Sequence, residues 1–458
     1  MICALGTLTA NFSNGGMTTA LPELCKEFSI STSQGTIITV SYVLVTGILT
    51  LPLGRISDMV GYKKMYLLGQ ILVTLGTLAG GALSNSVATI VIFRAIMAIG
   101  TAMVQAVTQA LLQRSFPPEK RGKILGINSA CLSASGVVSM LAAGWLVDML
   151  NWRWIFYVMV PLGVIVTILV FFFMEDFKGQ RVKLDYPVTV WLMAFLITLM
   201  LCLNGRVLHF NAITTIILGA AAALTLVLFI VREKRADVPL IDLHIFRFKT
   251  FDIGNIGFLV GYILSGIINV SLGFYLSYTR GYDARTRFWF TMIQVLMMGI
   301  MASFVGALSD KIGTKKLSIA GMGFQALGLL GYSLISVTSS DAYLLACLIC
   351  LGFGSGLFYA PTTSMVMGSV PPEDGGMASG MTNTMRNVAQ ALGQTIFAVI
   401  IAASTAALAD SHMSEAAVFV VGLKKGTTIC VVLAVICVGL FVYLLVDERK
   451  AKRKISEA

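Results

Sequence analysis

The sequence has 458 residues, a net charge of +11, 57% hydrophobic residues and only 12% charged residues. An ordinary soluble domain has roughly a quarter of its residues charged, so this chain has too few charges to cover the surface of a soluble fold of its length. The composition excludes an ordinary soluble protein and predicts an all-α membrane protein whose surface faces lipid.

Fourteen segments are long and apolar enough to cross a bilayer, since a spanning helix needs about 20 mostly apolar residues. In chain order they are 2–22, 36–56, 65–84, 88–113, 122–148, 154–174, 187–205, 211–231, 252–278, 287–308, 317–337, 342–368, 377–408 and 427–446. The first is predicted to be a true span and not a cleaved signal peptide, because it lacks a basic leading region and its apolar run is too long.

Lys and Arg residues are distributed unevenly among the connections between these segments. Of the 33, 23 lie in connections on the side of the 57–64 loop or in the C-terminal tail, 8 lie on the opposite side and 2 lie inside spans. By the positive-inside rule, this asymmetry places both termini in the cytoplasm. The basic charge therefore reflects a multi-pass topology in the cell (inner) membrane, and it does not indicate a nucleic-acid partner.

One motif occurs twice, each time between two predicted spans. Residues 54–64 read GRISDMVGYKK and residues 306–316 read GALSDKIGTKK, at an offset of 252. The shared residues include Gly54, Asp58, Gly61, Lys63 and Lys64 in the first copy and Gly306, Asp310, Gly313, Lys315 and Lys316 in the second. A second match, between the Pro-Pro-Glu sequences at 117–119 and 371–373, has an offset of 254. The chain is therefore predicted to contain two duplicated halves of parallel topology, with substrate held between them.

Six spans in each half leave two extra spans between the halves. We predict an N-terminal six-helix bundle at 1–175, a two-helix insertion with linkers at 176–250, a C-terminal six-helix bundle at 251–446 and a cytoplasmic tail at 447–458. In the repeated loop, Asp58 is predicted to cap the following helix, and Lys63 and Lys64 are predicted to hold the loop at the anionic inner surface. We call this loop a gating clasp, because its contacts are expected to form in one access state and break in the other.

These motifs resemble those of the major facilitator superfamily. The 54–64 stretch resembles its loop signature between helices two and three, and Arg94 within residues 93–100 resembles its fourth-helix motif. The fourteen spans, WRWIF at 152–156 with PLG at 161–163, and PLID at 239–242 with FR at 246–247 resemble the fourteen-helix drug:proton antiporter family. The resemblance implies a major facilitator fold and a multidrug efflux transporter.

The sequence departs from that family at two places. The family has an Asp in helix one, nine residues before the Pro of an Ala-Leu-Pro sequence, whereas this chain has Ser13 before Pro22. The antiporter signature of helix five ends in Gly-Pro, two residues and Gly-Gly, whereas residues 139–144 read SMLAAG. An Asp or Glu at the membrane midplane is the usual proton carrier, and here the proton-coupling candidate is Glu23, at the outer end of the first span.

Two charged residues lie inside predicted spans and away from their ends, Arg94 in the fourth and Arg386 in the thirteenth. A charge at the bilayer centre costs at least about 2.5 kcal/mol, so each is expected to face protein or water and to be paired. For Arg94 the resemblance implies substrate contact or gating of proton movement, and bonding to helix-end carbonyls is the structural alternative. For Arg386 the alternative is a packing network with Asn383, Asn387 and Gln390.

Further polar side chains within spans are candidates for lining a transport cavity, and interhelical hydrogen bonding is the alternative for each of them. They are Asn11, Ser13, Asn14, Gln105, Gln109, Asn128, Asn269 and Gln294. Arg94, Gln105 and Gln109 are spaced to lie near one face of their helix. That face is predicted to line the cavity.

Two apolar groups leave alternatives open. An aromatic group near the ends of the ninth and tenth spans either stacks on substrate or forms an interfacial belt, which its position favours. Its members are Phe274, Tyr275, Tyr278, Trp289 and Phe290. A methionine group suits either a plastic pocket or a lipid-facing surface; it consists of Met292, Met297, Met298 and Met301.

Motifs for catalysis or nucleotide binding are absent from the sequence, and Cys347 and Cys350 form a CxxC inside an apolar segment with no His nearby. We therefore predict no enzyme activity, no cofactor and no metal. The leading prediction is a monomeric secondary transporter that exports amphipathic drugs or toxic compounds by alternating access and H+-coupled antiport. The alternative is a facilitator, symporter or exporter of an organic anion, metabolite or lipid, because the predicted intramembrane charges are positive. A sensor or scaffold is disfavoured, since the longest segment between spans, 232–251, is too short for a soluble domain.

Overall fold

A computed structural model of the chain describes residues 2–115, 135–136, 138–139, 142–175, 186–203, 210–235, 247–370, 375–408 and 414–457. Asn128 and both Pro-Pro-Glu sequences lie outside the described residues. The side chains of Ser13, Asp58, Gln109 and Asp310 lie outside them as well. The predictions made for these positions stay predictions.

The described part of the chain is helical and contains no strand. The first half has α1 at Ile2–Glu27, α2 at Thr32–Val60, α3 at Tyr62–Ala82, α4 at Val87–Ser115, α5 at helical residues 142–149 and α6 at Trp154–Phe173. Two further helices follow, α7 at Tyr186–Leu203 and α8 at Ala212–Glu233.

The second half has α9 at Lys249–Phe274, which ends in a π-helical turn at Tyr275–Thr279, followed by α10 at Ala284–Ile312, α11 at Thr314–Ser333, α12 at Asp341–Met367, α13 at Gly375–Ala407 and α14 at Glu415–Glu457. Thirteen of the fourteen predicted spans fall on one of these helices; of the fifth, 122–148, the structure describes only residues 135–136, 138–139 and 142–148, which are helical. The last helix extends beyond the predicted 427–446 at both ends and continues through most of the predicted tail. Among the described residues, 8 helices are long and apolar enough to cross a membrane.

Polar caps start several helices at one end of the bundle, which we call the outer end because the predicted topology places it outside the cell. Ser31 and Gln34 form a capping box at the start of α2. Asn211 and Ser340 accept hydrogen bonds from backbone N–H groups at the starts of α8 and α12. Asp283 caps α10 by accepting from the Thr286 N–H at 3.0 Å. These caps satisfy helix-end donors where the chain leaves the apolar region.

The repeated loop has the same backbone geometry in both halves, at the opposite, inner end of the bundle. Gly61 has φ 102° and separates α2 from α3, and Gly313 has φ 93° and separates α10 from α11. Each glycine N–H donates to the carbonyl four residues earlier, that of Ser57 at 3.1 Å and that of Ser309 at 2.9 Å. Because residues with a side chain are strained at such φ values, both copies of the motif require glycine at this position.

A second equivalence lies where helices pack closely. A Cβ added to Gly69 in α3 would lie 2.9 Å from the Gly100 carbonyl oxygen in α4. A Cβ added to Gly321 in α11 would lie 2.9 Å from the Gly354 carbonyl oxygen in α12. These pairs are related by the same offsets, 252 and 254, that relate the sequence motifs. The two halves therefore pack one pair of helices through equivalent glycines.

The inserted helices α7 and α8 lie beside the seam between the halves. Val188 and Leu192 of α7 pack in a cluster with Ile48 of α2 and Val388 of α13. Only 17% of the most apolar stretch of α8 is buried inside the protein, against 61% for α9. The outer surface of α8 is therefore suited to lipid, whereas α9 lies in the interior.

Candidate functional site

The Arg94 side chain lies between α1, α2 and α4 and has no exposed surface. Its Nε donates to the Ile38 carbonyl oxygen at 2.7 Å, and its Nη2 donates to Asn14 Oδ1 at 3.2 Å. The guanidinium carbon lies 4.9 Å from the centre of the Tyr42 ring. Its Nη1 has no hydrogen-bond partner, and no carboxylate among the described residues forms an ion pair with it. Arg94 thus keeps a buried charge that neutral oxygens and an aromatic ring only partly compensate.

A second polar contact joins α1 and α4 further along the same helices. Gln105 Nε2 donates to Asn11 Oδ1 at 3.1 Å, and Gln105 Oε1 is buried without a partner. Between the two contacts, Thr101 donates to the Ala10 carbonyl oxygen at 3.2 Å. Asn11 of α1 therefore contacts the face of α4 that carries Gln105, Thr101 and Arg94. We call Asn11 and Gln105 the amide pair.

The second half has a different cluster at the corresponding place. The rings of Tyr262 in α9 and Tyr359 in α12 are stacked, with centres 4.6 Å apart and planes 26° apart. The Arg386 guanidinium in α13 lies beside the Tyr262 hydroxyl and interacts with it electrostatically, and the Tyr359 hydroxyl donates to the Gly261 carbonyl oxygen at 2.8 Å. Tyr262, Tyr359 and Arg386 are all half-buried. We call these three residues the tyrosine–arginine cluster.

The remaining polar candidates of the second half are dispersed around this cluster. Asn269 donates to Ser265 Oγ at 3.3 Å, within α9. Asn387 is buried, and its Nδ2 has no hydrogen-bond partner. A Cβ added to Gly47 of α2 would lie 2.9 Å from the Asn387 Cβ. Gln294 lies at the contact between α10 and α12. Asn383 and Gln390 are half-buried on α13. A single network joining Arg386 to its three α13 neighbours is not present among the hydrogen bonds of the described residues.

At the outer end, an ion pair connects the two halves. Glu23 Oε1 in α1 accepts from Arg287 Nη2 in α10, across 264 positions of sequence. The Arg287 side chain is 2% exposed and that of Glu23 is 29% exposed. Sequence reasoning selected Glu23 but missed Arg287, which lies at the very start of a predicted span and was counted with the outer connection.

Apolar and polar contacts close the bundle around this ion pair. The Tyr278 side chain, just after α9, lies beside the Cys25 side chain of α1. A Cβ added to Gly144 of α5 would lie 2.6 Å from the Phe288 Cβ of α10. The outer ends of α1 and α5 are therefore packed against the outer ends of α9 and α10, so the two halves meet there.

Two other outer ion pairs each lie within one half. Arg153 pairs with Glu27 at 3.0 Å, and Glu27 also accepts from the Trp152 indole N–H. In the second half, Arg280 pairs with Asp341 at 2.6 Å. Hydrogen bonds from Thr286 hold the pKa of Asp283, the cap of α10, below its usual range. These groups stabilise each half separately, and only the Glu23–Arg287 pair among the described ion pairs at this end connects the halves.

The belt interpretation of the aromatic group is wrong for most of its members. Phe274, Tyr275 and Phe290 are buried in the protein, and the Tyr275 hydroxyl donates to the Ser336 carbonyl oxygen at 2.9 Å. Trp289, at 52% exposed, is placed as a belt residue should be. The others serve packing at the outer end, because α9 is an interior helix.

The methionine group is neither fully lipid-facing nor loosely packed. Met297 and Met301 lie on α10 where it meets Gly352 and Gly356 of α12. A Cβ on those glycines would lie 2.9 Å from the Met297 Cβ and 2.6 Å from the Met301 Cβ. All four methionines are half-buried. The glycines of α12 thus provide the groove in which two of them pack.

Comparison with known proteins gives one family and several transporters. The family model described as Major Facilitator Superfamily matches residues 3–394. The riboflavin transporter RibZ of Clostridioides difficile is 26% identical over 406 residues, which cover 88% of each chain. The multidrug resistance protein Stp of Mycobacterium tuberculosis is 28% identical over 87% of this chain and 74% of its own length.

Solved structures agree in fold. A bacterial homolog of the human lysosomal transporter Spinster has a TM-score of 0.66 at 14% sequence identity, covering 96% of this chain and 95% of its own. Tetrameric PepTSo2 has a TM-score of 0.69 at 13% identity, covering 98% of both chains. At these identities the likeness is one of architecture alone.

Proposed function

The chain belongs to the Major Facilitator Superfamily, and from that premise we propose that it exports amphipathic small molecules by proton-coupled antiport, as a member of the fourteen-helix drug:proton antiporter family. It is a multi-pass membrane transporter, in keeping with its relatives. The inner membrane and cytoplasmic termini of the predicted topology are part of the proposal, as is a monomeric state.

Amphipathic substrates are supported by relatives named multidrug resistance proteins, among them Stp and multidrug resistance protein 3 of Bacillus subtilis. Polar groups at the α1–α4 and α9–α12 contacts, set within apolar helices, are the arrangement that small-molecule sites use to orient a ligand. In a transporter of two repeated halves, the substrate is held at the interface between them.

The observation that carries the proposal is the Glu23–Arg287 pair, because it is an ionisable contact between the two halves. Alternating access requires the outer ends to separate, and separation breaks this pair. Protonation of Glu23 removes the charge that Arg287 holds, so binding of an external proton and opening of the outer end become linked. Glu23 thereby supplies the titratable carboxylate that position 13 lacks.

Other titratable groups surround this pair and belong in any account of its pH dependence. Cys25 and Tyr278 lie close enough to Glu23 to interact with it electrostatically. Asp283 interacts in the same way with Arg287. Cys25 and Tyr278 are neutral at the pH values at which a carboxylate titrates. Glu23 is therefore the carboxylate that we propose takes up the proton, and Asp283 is a second acidic group near Arg287.

The test is export of a fluorescent cationic dye from proteoliposomes that contain the purified protein. Export should follow an imposed pH gradient in the wild type and should lose that dependence in Glu23→Gln. The matched control is Glu27→Gln, which removes a neighbouring carboxylate whose partner, Arg153, lies in the same half. A pH-dependent flux that survives in Glu23→Gln contradicts the coupling role.

A second candidate is transport of an organic anion or planar metabolite by facilitated diffusion, symport or export. It is favoured by the absence of carboxylate partners for Arg94 and Arg386 among the described residues and by the relative named as a riboflavin transporter. Flux of an anionic dye without flux of the cationic dye would favour this candidate over multidrug export.

A further inference from the structure

The tyrosine–arginine cluster lies inside the apolar part of the second half. Arg386 lies six residues into the apolar segment Gly380–Ala407, which places it about 9 Å from the inner end of that segment. Tyr262 stacks on Tyr359 and also lies near Phe258, with the Phe258 and Tyr262 ring centres 6.0 Å apart and their planes 28° apart. The cluster therefore combines a cation with nearly parallel aromatic rings at membrane depth.

Among the described residues, no carboxylate forms an ion pair with Arg386. The group beside its guanidinium is the neutral phenol of Tyr262. The Arg386 side chain is half-buried. A cation at this depth is costly unless it is paired or hydrated, and an arginine presents a planar fork that matches a carboxylate or phosphate.

The internal repeat relates this cluster to the amide pair of the first half. The offset of 254 takes Gln105 to Tyr359, and the offset of 252 takes Asn11 to Ile263, the residue after Tyr262. The Gln105 position thus holds an amide in the first half and a phenol in the second, and the other phenol, Tyr262, lies one residue before the equivalent of Asn11. Because the halves of such a transporter face each other across the substrate, one wall offers amide groups and the other offers rings beside a cation.

We propose that the tyrosine–arginine cluster is the subsite for a planar aromatic ring carrying an acidic group, with the amide pair receiving polar groups on the opposite edge of the ligand. The ring stacks with the tyrosines, the acidic group pairs with Arg386, and the unpartnered Gln105 Oε1 accepts a hydrogen bond. This inference rests on the proposed transport function and names the substrate class of the same site.

Three anthracene derivatives test the inference, because they share one flat ring system and differ only in charge. They are anthracene-9-carboxylate, the neutral 9-anthracenemethanol and the cationic 9-(aminomethyl)anthracene. Binding to the purified full-length protein is measured from the change in anthracene fluorescence. The wild type should bind the carboxylate about tenfold or more tightly than the neutral compound, since charged hydrogen bonds are the stronger ones.

Substitutions separate the roles of charge and ring. Arg386→Gln should weaken carboxylate binding about tenfold or more and change binding of the neutral compound less than about twofold, while Arg386→Lys should retain part of the preference. Tyr359→Leu should weaken both compounds by a similar factor of about 2 to 10, since stacking does not depend on the ligand's charge. Unchanged binding of the neutral compound in Arg386→Gln is itself evidence that the variant is folded.

Two results would overturn the subsite. One is equal wild-type affinity for the carboxylate and the neutral compound. The other is a parallel loss of all three compounds in Arg386→Gln, which would make Arg386 a packing residue. Dye export from proteoliposomes is measured in the same preparations. Export of cationic dye without carboxylate binding rejects the subsite and keeps the transport proposal, whereas carboxylate binding without any flux supports the subsite and rejects the transport proposal.

Discussion

Replacing Glu23 by Gln removes the charge that pairs with Arg287 between the two halves while it keeps the size of the side chain. Losing one partner of a buried ion pair costs roughly 3–5 kcal/mol, but Glu23 is 29% exposed and Gln still accepts a hydrogen bond. We therefore expect the outer-closed state to lose about 1–2 kcal/mol, which changes the ratio of open to closed molecules about 5- to 30-fold. The lost contact is present only when the outer ends meet.

Cys25 is a natural reporter of this opening. It lies two residues from Glu23, is 2% exposed, and lies beside Tyr278. In a variant whose other cysteines are replaced, a membrane-impermeant maleimide applied from outside should label Cys25 about 5 to 30 times faster after Glu23→Gln. Glu27→Gln is the matched control and should leave the rate near that of the parent.

The reverse-charge pair completes this experiment. Glu23→Arg alone should raise the labelling rate of Cys25, and Glu23→Arg combined with Arg287→Glu should lower it again, because the charges attract in either orientation. If Glu23→Gln and Glu27→Gln label at the same rate, the ion pair does not hold the outer end closed and the reasoning is refuted.

Three further outcomes are expected. Gly61→Ala should lower the free energy of unfolding of the purified protein by about 1–3 kcal/mol, because φ at this position is 102°. Gly299→Ala, in a helix with nothing within 4 Å of the added Cβ, should not lower it. Asp283→Ala should cost about 1 kcal/mol at pH 7 through loss of the α10 cap. Since the folded pKa of Asp283 is lowered, its contribution is present above the usual Asp range and disappears as pH falls through the folded pKa, whereas the cost of Ser340→Ala, a non-titrating cap, should stay constant in thermal unfolding from pH 7 to 3. Asp58→Asn should abolish dye export while the protein still inserts at normal yield; wild-type flux in that variant would contradict the clasp interpretation of the loop.

The local sequence pattern was enough to predict the helices and the duplication of the two halves. Apolar length predicted the helices that the structure describes, and the motif copies around Gly61 and Gly313 have matching backbone geometry. The Gly69–Gly100 and Gly321–Gly354 contacts extend the same offsets to helix packing. These features are encoded by residues close together in sequence, so a single chain reveals them.

Contacts between helices that are far apart in the chain could not be predicted from the sequence. Glu23 and Arg287 are 264 positions apart, and no sequence motif near either residue indicates that the two are in contact. Tyr262 and Tyr359 lie in apolar segments and look like ordinary core residues until their rings are seen stacked beside Arg386. The repeat offset that links Gln105 to Tyr359 was the one available signal.

The prediction that the outer aromatic group forms an interfacial belt was wrong for a related reason. Position near a span end favoured an interfacial belt, but Phe274 and Tyr275 lie on α9, whose surface is taken up by neighbouring helices. Depth along a helix can be read from sequence, whereas the direction a residue faces in a largely apolar helix depends on which neighbours pack around it.

The central claim, export coupled to protons through Glu23, is tested most directly by dye efflux from proteoliposomes with and without an imposed pH gradient, in the wild type, Glu23→Gln and Glu27→Gln. We expect efflux to depend on the pH gradient in the wild type and in Glu27→Gln, and to be independent of the gradient in Glu23→Gln. Proton coupling through Glu23 is contradicted if wild-type efflux is independent of the gradient, or if efflux depends on it equally in all three proteins.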